Sequence, residues 1–171
     1  MINDDGEAFE KIASLIKKID FCMLTTISED GTLHSLPMSL NRKIDSAGNL
    51  WFFTYGSSHK VLESQANPQV GVSFSDTAKH TYVAISGRAS LVRDKVKIEE
   101  LWEVELKAWF PDGVDTPDIA LLKVEAEKAE LWDSPSSVVA QTIAMFRALT
   151  GAPQDVGENI KVDLKSQVVK N

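Results

Sequence analysis

Short apolar segments separated by polar turn residues fill most of the chain. Within residues 21–27 the side chains alternate between the two faces of an extended strand, and later segments alternate in the same way. Gly, Asp, Asn and Ser cluster between these segments, as they do in turns. The pattern predicts strands over residues 21–27, 32–41, 50–55, 69–74, 83–91 and 119–132. Six strands with few helices between them predict a mainly β protein with flanking helices, built on an antiparallel barrel.

Apolar residues at helical spacing mark the flanking helices. Residues 8–19 predict an amphipathic helix, and a short helix is expected between His59 and the Asn67-Pro68 pair. A longer helix is predicted over residues 94–109, and a final helix begins after Ser134-Pro135. These helices carry apolar stripes, so each of them must cover part of the sheet.

Two strands contain irregular positions. Pro37 cannot donate to a strand ladder, so it indicates either an edge strand or a break in pairing that leaves backbone groups free for a ligand. In residues 119–132 the apolar phase slips by one residue, which predicts a bulge. Gly87 lies inside another strand and predicts a bulge or a close approach of two backbones.

The composition is that of an ordinary globular protein. Of the 171 residues, 43% are hydrophobic and 25% are charged, which suits one domain with a substantial core. We expect the domain to cover residues 1–153, followed by a polar tail over 154–171 with one added strand at 160–164. The net charge of −7 disfavours a nucleic-acid partner, because phosphate backbones require a basic face.

Cysteine usage and the first residues favour the cytoplasm. The single cysteine, Cys22, rules out an intrachain disulfide, and its apolar surroundings predict a buried, inert thiol. Residues 1–9 lack the basic and apolar regions of a signal peptide, and no run of about 18 apolar residues occurs. We therefore expect neither secretion nor a membrane partner.

Common catalytic and metal-binding motifs are absent from the sequence. The patterns GxGxxG, GxxxxGK[ST] and GxSxG do not occur, so Rossmann, P-loop and hydrolase-elbow sites have no motif to support them. His34, His59 and His80 are scattered without HxxxH or HxE spacing, and we expect no metal site. No residue stands out as a general acid or base.

One turn carries the residues that an anion would need. Gly56 permits a tight turn, Ser57 and Ser58 supply hydroxyls, and His59 and Lys60 open the short helix. The free N–H groups and the dipole at a helix start favour an anion such as phosphate. The alternative is a simple N-cap followed by a solvated lysine.

Two of the four tryptophans, Trp109 and Trp132, lie near turns at the ends of their elements. A bulky planar ligand with a terminal phosphate would use these rings together with the anion-binding turn and the strand at Pro37. Packing in the core or at an interface is the alternative for all four, and we favour it for Trp51 and Trp102.

Four segments carry a resemblance to a known family. They are TLHSLPMSL (32–40), LWFFTYGSSHKVLESQANPQVGVSF (50–74), YVAISGRASLV (82–92) and LWEVELKAWFPDGVDTPDIALLKVEAEKAELWD (101–133). Together they resemble the pyridoxamine 5′-phosphate oxidase-like FMN-binding split-barrel superfamily. The WFP-x-G ending, the strand after it and the closing WD are similar to the general stress protein branch. The resemblance covers roughly residues 9–135 and implies a six-stranded antiparallel split β-barrel.

The resemblance also implies a cofactor and its contacts. FMN would bind at the interface of a homodimer. The residues implied at the isoalloxazine ring are Ser35, Leu36, Pro37 and Met38, those along the ring and ribityl chain are Phe53, Thr54 and Tyr55, and those at the phosphate are Ser58, His59 and Lys60. Trp109 and Trp132 would approach the ring, with Trp109 a candidate for donation by the partner subunit.

The chain also departs from true pyridoxamine phosphate oxidases. Those enzymes carry basic residues around the second strand and an Arg- and His-bearing C-terminal segment, whereas here only His34 precedes SLPM and an apolar helix follows Trp132-Asp133. We therefore expect an FMN oxidoreductase of general stress protein type, using NAD(P)H or another small electron donor, that does not oxidise pyridoxamine phosphate. The alternatives are a non-catalytic flavin-binding or sensing module and a barrel that binds a deazaflavin or haem.

Overall fold

Antiparallel strands dominate the computed structural model of the chain, which describes residues 4–39, 44–133 and 158–164. The strands are β1 Phe21–Ile27, β2 Leu33–Ser39, β3 Asn49–Tyr55, β4 Gln69–Asp76, β5 Thr81–Val92, β6 Ile119–Asp133 and β7 Glu158–Asp163. The helices are α1 Asp4–Ile16, α2 His59–Ala66 and α3 Lys95–Leu101, and short 3-10 helices cover Val104–Ala108 and Gly113–Asp115.

The strands form one seven-stranded sheet in the order β2-β1-β4-β5-β6-β3, with β7 also paired to β6. Strand β6 is long enough to hold two partners on one side, β3 along its first half and β7 along its second. The described sheet does not close between β2 and β3. The prediction of a mainly β, split antiparallel barrel is confirmed, although the sheet has seven strands rather than six.

The bulge predicted in residues 119–132 is confirmed. Ser86 pairs with Lys128 and Gly87 pairs with Ala126, so Glu127 is the extra residue of β6. The backbones approach closely here, because a Cβ on Gly87 would overlap the carbonyl oxygen of Glu125. The extra residue lets apolar side chains on both halves of β6 point towards the core.

Strand β3, whose residues 50–53 are all apolar, separates two groups of core side chains. Leu50 and Phe52 belong to the main core, which α1 and the inner faces of β1, β4, β5 and β6 complete. Trp51 and Phe53 point the other way into a smaller cluster with residues of α3 and β6. Both faces of β3 are therefore buried, which explains why its sequence does not alternate.

The prediction of one helix over residues 94–109 is wrong. Helix α3 ends at Leu101, Trp102 is extended, and a separate 3-10 helix follows. The last turn of α3 contains Glu99 and Glu100 but no basic residue, an arrangement that does not favour the C-terminal end of the helix dipole, although Lys95 and Lys97 of the preceding turn pair with the two carboxylates. Trp102 also packs edge-on against Phe53 at 5.7 Å, a tertiary contact that it makes from this extended conformation.

The remaining predicted features divide between described and undescribed residues. The helix expected after Ser134-Pro135 lies outside the described residues. Strand β7 covers most of the 160–164 segment for which an added strand was expected. In the ranges that the structure describes, no helix is long and apolar enough to cross a membrane.

Candidate functional site

A groove of about 300 Å³ lies where the β1–β2 hairpin, the end of β3, the start of α2 and the segment after α3 meet. Its lining residues are Phe21, Leu36, Pro37, Met38, Ser39, Phe53, Thr54, Tyr55, Lys60, Leu106, Trp109 and Phe110. This volume is at the lower end of the range for small-molecule sites. The groove brings together most of the residues predicted to bind a ligand, although they come from four separate stretches of the chain.

Strand β2 forms one wall of the groove. Pro37 pairs with Met23 of β1, and β2 lies at the end of the sheet order, so the missing N–H removes no bond to a second neighbour among the described strands. The edge-strand interpretation of Pro37 is therefore confirmed, whereas the predicted break in pairing is wrong, because the register between β1 and β2 continues through Pro37, which also lines the groove. Met38 beside it is buried and adds apolar surface.

Aromatic rings form the opposite wall. The Tyr55 hydroxyl donates a hydrogen bond to the Trp109 carbonyl at 2.8 Å, and the Tyr55 and Phe110 rings lie 5.0 Å apart. Phe53 lies 6.1 Å from Phe110. These contacts fasten the end of β3 to residues 109–110 and leave the Trp109 side chain half exposed at the groove. A planar ligand could stack on this wall.

Lys60 is the one charged residue among those that line the groove. Its ammonium makes no hydrogen bond or ion pair with any residue in the described ranges, and partial burial lowers the pKa of Lys60 from its ordinary value. Ser58 occupies the N-cap position of α2, yet its side chain makes no capping hydrogen bond. The start of α2 therefore presents an unpaired cation and an uncapped helix end, and both favour an anion.

The turn before α2 is held by Asp118. Its side chain accepts hydrogen bonds from the Ser57 amide at 2.8 Å, the Ser57 hydroxyl at 2.7 Å and Arg93 Nη1 at 2.9 Å. The Ser57 hydroxyl, followed by the Ser57 amide and the Arg93 guanidinium, lowers the pKa of Asp118. A Cβ on Gly56 would overlap the Arg93 guanidinium, so the glycine leaves room for Arg93 to reach Asp118. The Ser57 hydroxyl is thus engaged and does not face the groove as a free donor.

Four predicted residues lie outside the groove lining of the single chain. The Ser58 hydroxyl lies 3.1 Å from the hydroxyl of Thr54, which does line the groove. The next residue, His59, is exposed. Ser35 bonds to Thr25 on the outer face of the hairpin at 2.8 Å. Trp132 lies on β6 opposite Tyr82 of β5. Their roles at a ligand stay predictions.

Comparison with known proteins assigns the fold and the sequence to one family. The profile of the "pyridoxamine 5′-phosphate oxidase like" family matches residues 7–155. This chain belongs to the pyridoxamine 5′-phosphate oxidase-like family. Protein bli-3 of Neurospora crassa is 26% identical over 157 residues, which cover 86% of this chain and 75% of that protein.

Solved structures support the family assignment. A general stress FMN/FAD binding protein from Xanthomonas citri is 30% identical, with a TM-score of 0.66 over 77% of this chain and 92% of that chain. A Clostridium acetobutylicum protein related to general stress protein 26 of B. subtilis has a TM-score of 0.70 at 20% identity, covering 95% of this chain and 98% of that one. The second likeness shows the fold alone.

Sequence reasoning missed several residues that shape the site in this family member. Phe21, Ser39, Leu106 and Phe110 line the groove, and Asp118 and Arg93 hold the turn before α2. Phe110 stands inside the WFP motif and Phe21 lies on the exposed face of an alternating strand, so both had a local signal. Asp118 had none, because it lies 61 residues from Ser57 along the chain.

Proposed function

We propose that this protein binds FMN in the groove and acts as an oxidoreductase of general stress protein type. The observation that carries the proposal is Lys60, an unpaired, half-buried cation at an uncapped helix start, in the same groove as Pro37 and the aromatic wall. A phosphate would satisfy the ammonium, and a flat apolar ring system would fill the space between the two walls. The Xanthomonas citri relative, which is named for FMN/FAD binding, supports the choice of a flavin.

The groove residues fit FMN by chemical type at both of its ends. Lys60 and the amides at the start of α2 would hold the phosphate, and the neighbouring Ser58 and Thr54 hydroxyls would serve the phosphate or the ribityl chain. Leu36, Pro37 and Met38 would contact the isoalloxazine ring, and Phe53 and Tyr55 would lie along the ribityl chain.

The most direct test of the proposal is the absorption spectrum of the purified protein, followed by identification of any chromophore released on denaturation. Flavin bands and released FMN are expected. A colourless protein that shows no change on titration with FMN would refute the proposal.

We propose that a second copy of the chain completes the site. The outer face of the sheet carries large exposed side chains, with Phe21 at 56%, Met23 and Tyr82 at 40% and Trp132 at 39% exposure. Tyr82 pairs with Trp132 across β5 and β6, and Phe21 and Met23 lie two strands away on the same face. Such an apolar face favours association, and Phe21 joins it to the groove.

The homodimer proposal is tested by replacing Met23, which lies on the outer face but does not line the groove. Met23→Lys should shift the protein from dimer to monomer in light scattering and weaken FMN binding, because each groove would lose its partner. Lys161→Gln, on the more polar part of the same face, loses only the ion pair with Glu130 at 3.4 Å, and as the control it should keep the dimer. A wild-type protein that is monomeric with FMN bound would contradict this proposal.

The chemistry proposed is transfer of a hydride or electrons between NAD(P)H, or another small donor, and an acceptor. The bound flavin would itself supply the redox chemistry. Among the groove's lining residues, Lys60 and Tyr55 are the ones that can titrate, and the Tyr55 hydroxyl is engaged with the Trp109 carbonyl. The side chains would therefore bind and orient the ring and exclude water, and would not act as a general acid or base.

That same lack of an acid or base supports a second candidate function, a non-catalytic module that binds or senses flavin. Anaerobic mixing with NADPH separates the two candidates. Rapid bleaching of the flavin band would support the oxidoreductase, and a band that persists for minutes would support the module. We also propose that pyridoxamine phosphate is not a substrate. FMN-dependent production of pyridoxal phosphate would overturn that statement.

A further inference from the structure

The carboxylate of Glu63 joins helix α2 to the β1–β2 hairpin. It accepts hydrogen bonds from the Thr26 hydroxyl at 2.6 Å and from the Ser28 hydroxyl at 2.8 Å, and it lies 3.2 Å from Nδ1 of His34. Its side chain is only 14% exposed. Polar side chains from β1, from the turn after it and from β2 thus converge on one anion that belongs to the helix.

Packing holds helix α2 and the outer strand of the hairpin, β2, less firmly than it holds β1, which pairs with a strand on each side. Helix α2 has eight residues, of which only Val61 and Ser64 are buried, and helices of this length are not stable alone. Strand β2 lies at the end of the sheet order and contains Pro37. The contacts between Glu63 and the hairpin therefore help to place α2 relative to β2.

Each of these elements also supplies one side of the groove. On α2, Glu63 follows Lys60 by three residues, so the two side chains lie on neighbouring turns of one face. On β2, Leu36 follows His34 by two residues and so lies on the same face of the strand, and both Lys60 and Leu36 line the groove. The Glu63–His34 contact therefore lies next to two groove residues, one on the helix and one on the strand.

We infer that Glu63 is a positioning residue for the site: its hydrogen bonds to Thr26, Ser28 and His34 set the separation between Lys60 and the β2 residues that face it. This inference rests on the proposed function, in which Lys60 holds the phosphate of FMN and β2 contacts the ring. Glu63 does not itself touch the ligand. Its effect is to let one rigid ligand satisfy both ends at once.

The charge state of Glu63 suits this role. The Thr26 hydroxyl, with the Ser28 hydroxyl and His34, holds the pKa of Glu63 below its ordinary value, so the group stays an acceptor-only carboxylate at neutral pH. Glu63→Gln keeps the size of the side chain but leaves one acceptor oxygen for three donors. This variant therefore loosens the connection without opening a cavity.

The test compares FMN with riboflavin, which lacks the phosphate, in binding titrations. Wild-type protein should bind FMN more tightly than riboflavin. In Glu63→Gln that preference should fall about tenfold, as expected when one charge-assisted hydrogen bond is misplaced. The control is Asp30→Ala, which removes the Asp30 contacts to the Thr32 amide and hydroxyl, 3.0 and 2.6 Å, in the turn of the same hairpin. Asp30→Ala should leave the preference unchanged.

A double-mutant cycle with Lys60→Met separates positioning from general stability. If Glu63 acts through Lys60, adding Glu63→Gln to Lys60→Met should change the FMN preference no further. An additive change, or an equal loss of FMN and riboflavin affinity in Glu63→Gln, would overturn the inference. Wild-type protein that binds neither flavin would instead refute the proposed function.

Hydrogen exchange on the ligand-free protein tests the connection without any flavin. Glu63→Gln should speed exchange of the amides in both α2 and β2 and leave β4 and β5 unchanged, whereas Asp30→Ala should affect the hairpin alone. Exchange that is unchanged in α2 and β2 would show that Glu63 does not hold these elements together, whatever ligand the groove binds.

Discussion

Lys60→Met is the substitution that best tests the assignment of the groove. Methionine keeps most of the aliphatic length of lysine and removes the charge, so the wall of the groove is preserved. In the proposed complex the change deletes a charge-assisted contact to phosphate, worth about 1.5–3 kcal/mol. The FMN dissociation constant should therefore rise roughly tenfold to a hundredfold.

The structure gives a reason to expect a rise in the FMN dissociation constant towards the upper end of that range. Within the described residues the Lys60 ammonium has no hydrogen bond or ion pair that a phosphate would have to displace. Part of its hydration is already lost, which is why the pKa of Lys60 is lowered. Because the ammonium has lost hydration without a partner among the described residues, Lys60→Met should not destabilise the ligand-free protein. Its free energy of unfolding should stay constant or rise.

The assay is a fluorescence titration with FMN and with riboflavin, together with urea unfolding of the ligand-free protein. Lys60→Arg keeps a cation and serves as the matched control, with an FMN affinity between those of wild type and Lys60→Met. An FMN affinity in Lys60→Met within twofold of wild type would refute the reasoning. So would an equal loss for riboflavin, because that ligand has no phosphate for Lys60 to hold.

Three further predictions concern stability and reactivity. In urea unfolding, Gly87→Ala should lower the free energy of unfolding by about 2 kcal/mol, because the new Cβ would overlap a backbone carbonyl of β6. The control is Gly71→Ala, whose Cβ would lie 3.8 Å from its nearest neighbour, and it should change the free energy of unfolding by no more than about 0.5 kcal/mol. Burial raises the pKa of Cys22 to about 12, so a thiol reagent at pH 8 should modify it only at the rate of unfolding, and fast modification of folded protein would contradict the structure. The pKa of Glu63 is lowered, mainly by the Thr26 hydroxyl. Its contribution to the stability of the fold should therefore be complete above its ordinary pKa of 4.5 and be lost as the pH falls through the lowered pKa. The acid unfolding of Glu63→Gln should lack this pH-dependent contribution.

Much of the fold could be predicted from the chain because strand and turn signals are local. The alternation in β1 indicated which side chains face the core, and the structure agrees. The slip in β6 and the glycine at position 87 indicated a bulge and a close approach of two backbones, and both are present. The helix predicted over residues 94–109 failed for a non-local reason. Its apolar residues do recur at helical spacing, but Trp102 leaves the helix and packs edge-on against Phe53 of β3, which is distant in the chain.

The candidate site divides in the same way. Pro37 and Lys60 could be found from the sequence because a proline in a strand and a lysine at a helix start each have a local chemical meaning. The same reading placed the Ser57 hydroxyl at the ligand, and the structure engages it with Asp118. Leu106 lines the groove without any motif that distinguishes it from other apolar residues.

The sequence by itself therefore determined the barrel class, the strands and the turn before α2, since each depends on residues close together in the chain. Only the tertiary structure decided that Lys60 has no partner among the described residues, that Asp118 holds the turn, and that Glu63 connects α2 to the hairpin. The physical reason is separation along the chain. Glu63 reaches Thr26 across 37 residues, and no local pattern records which donors the folding of a sheet will bring to one carboxylate.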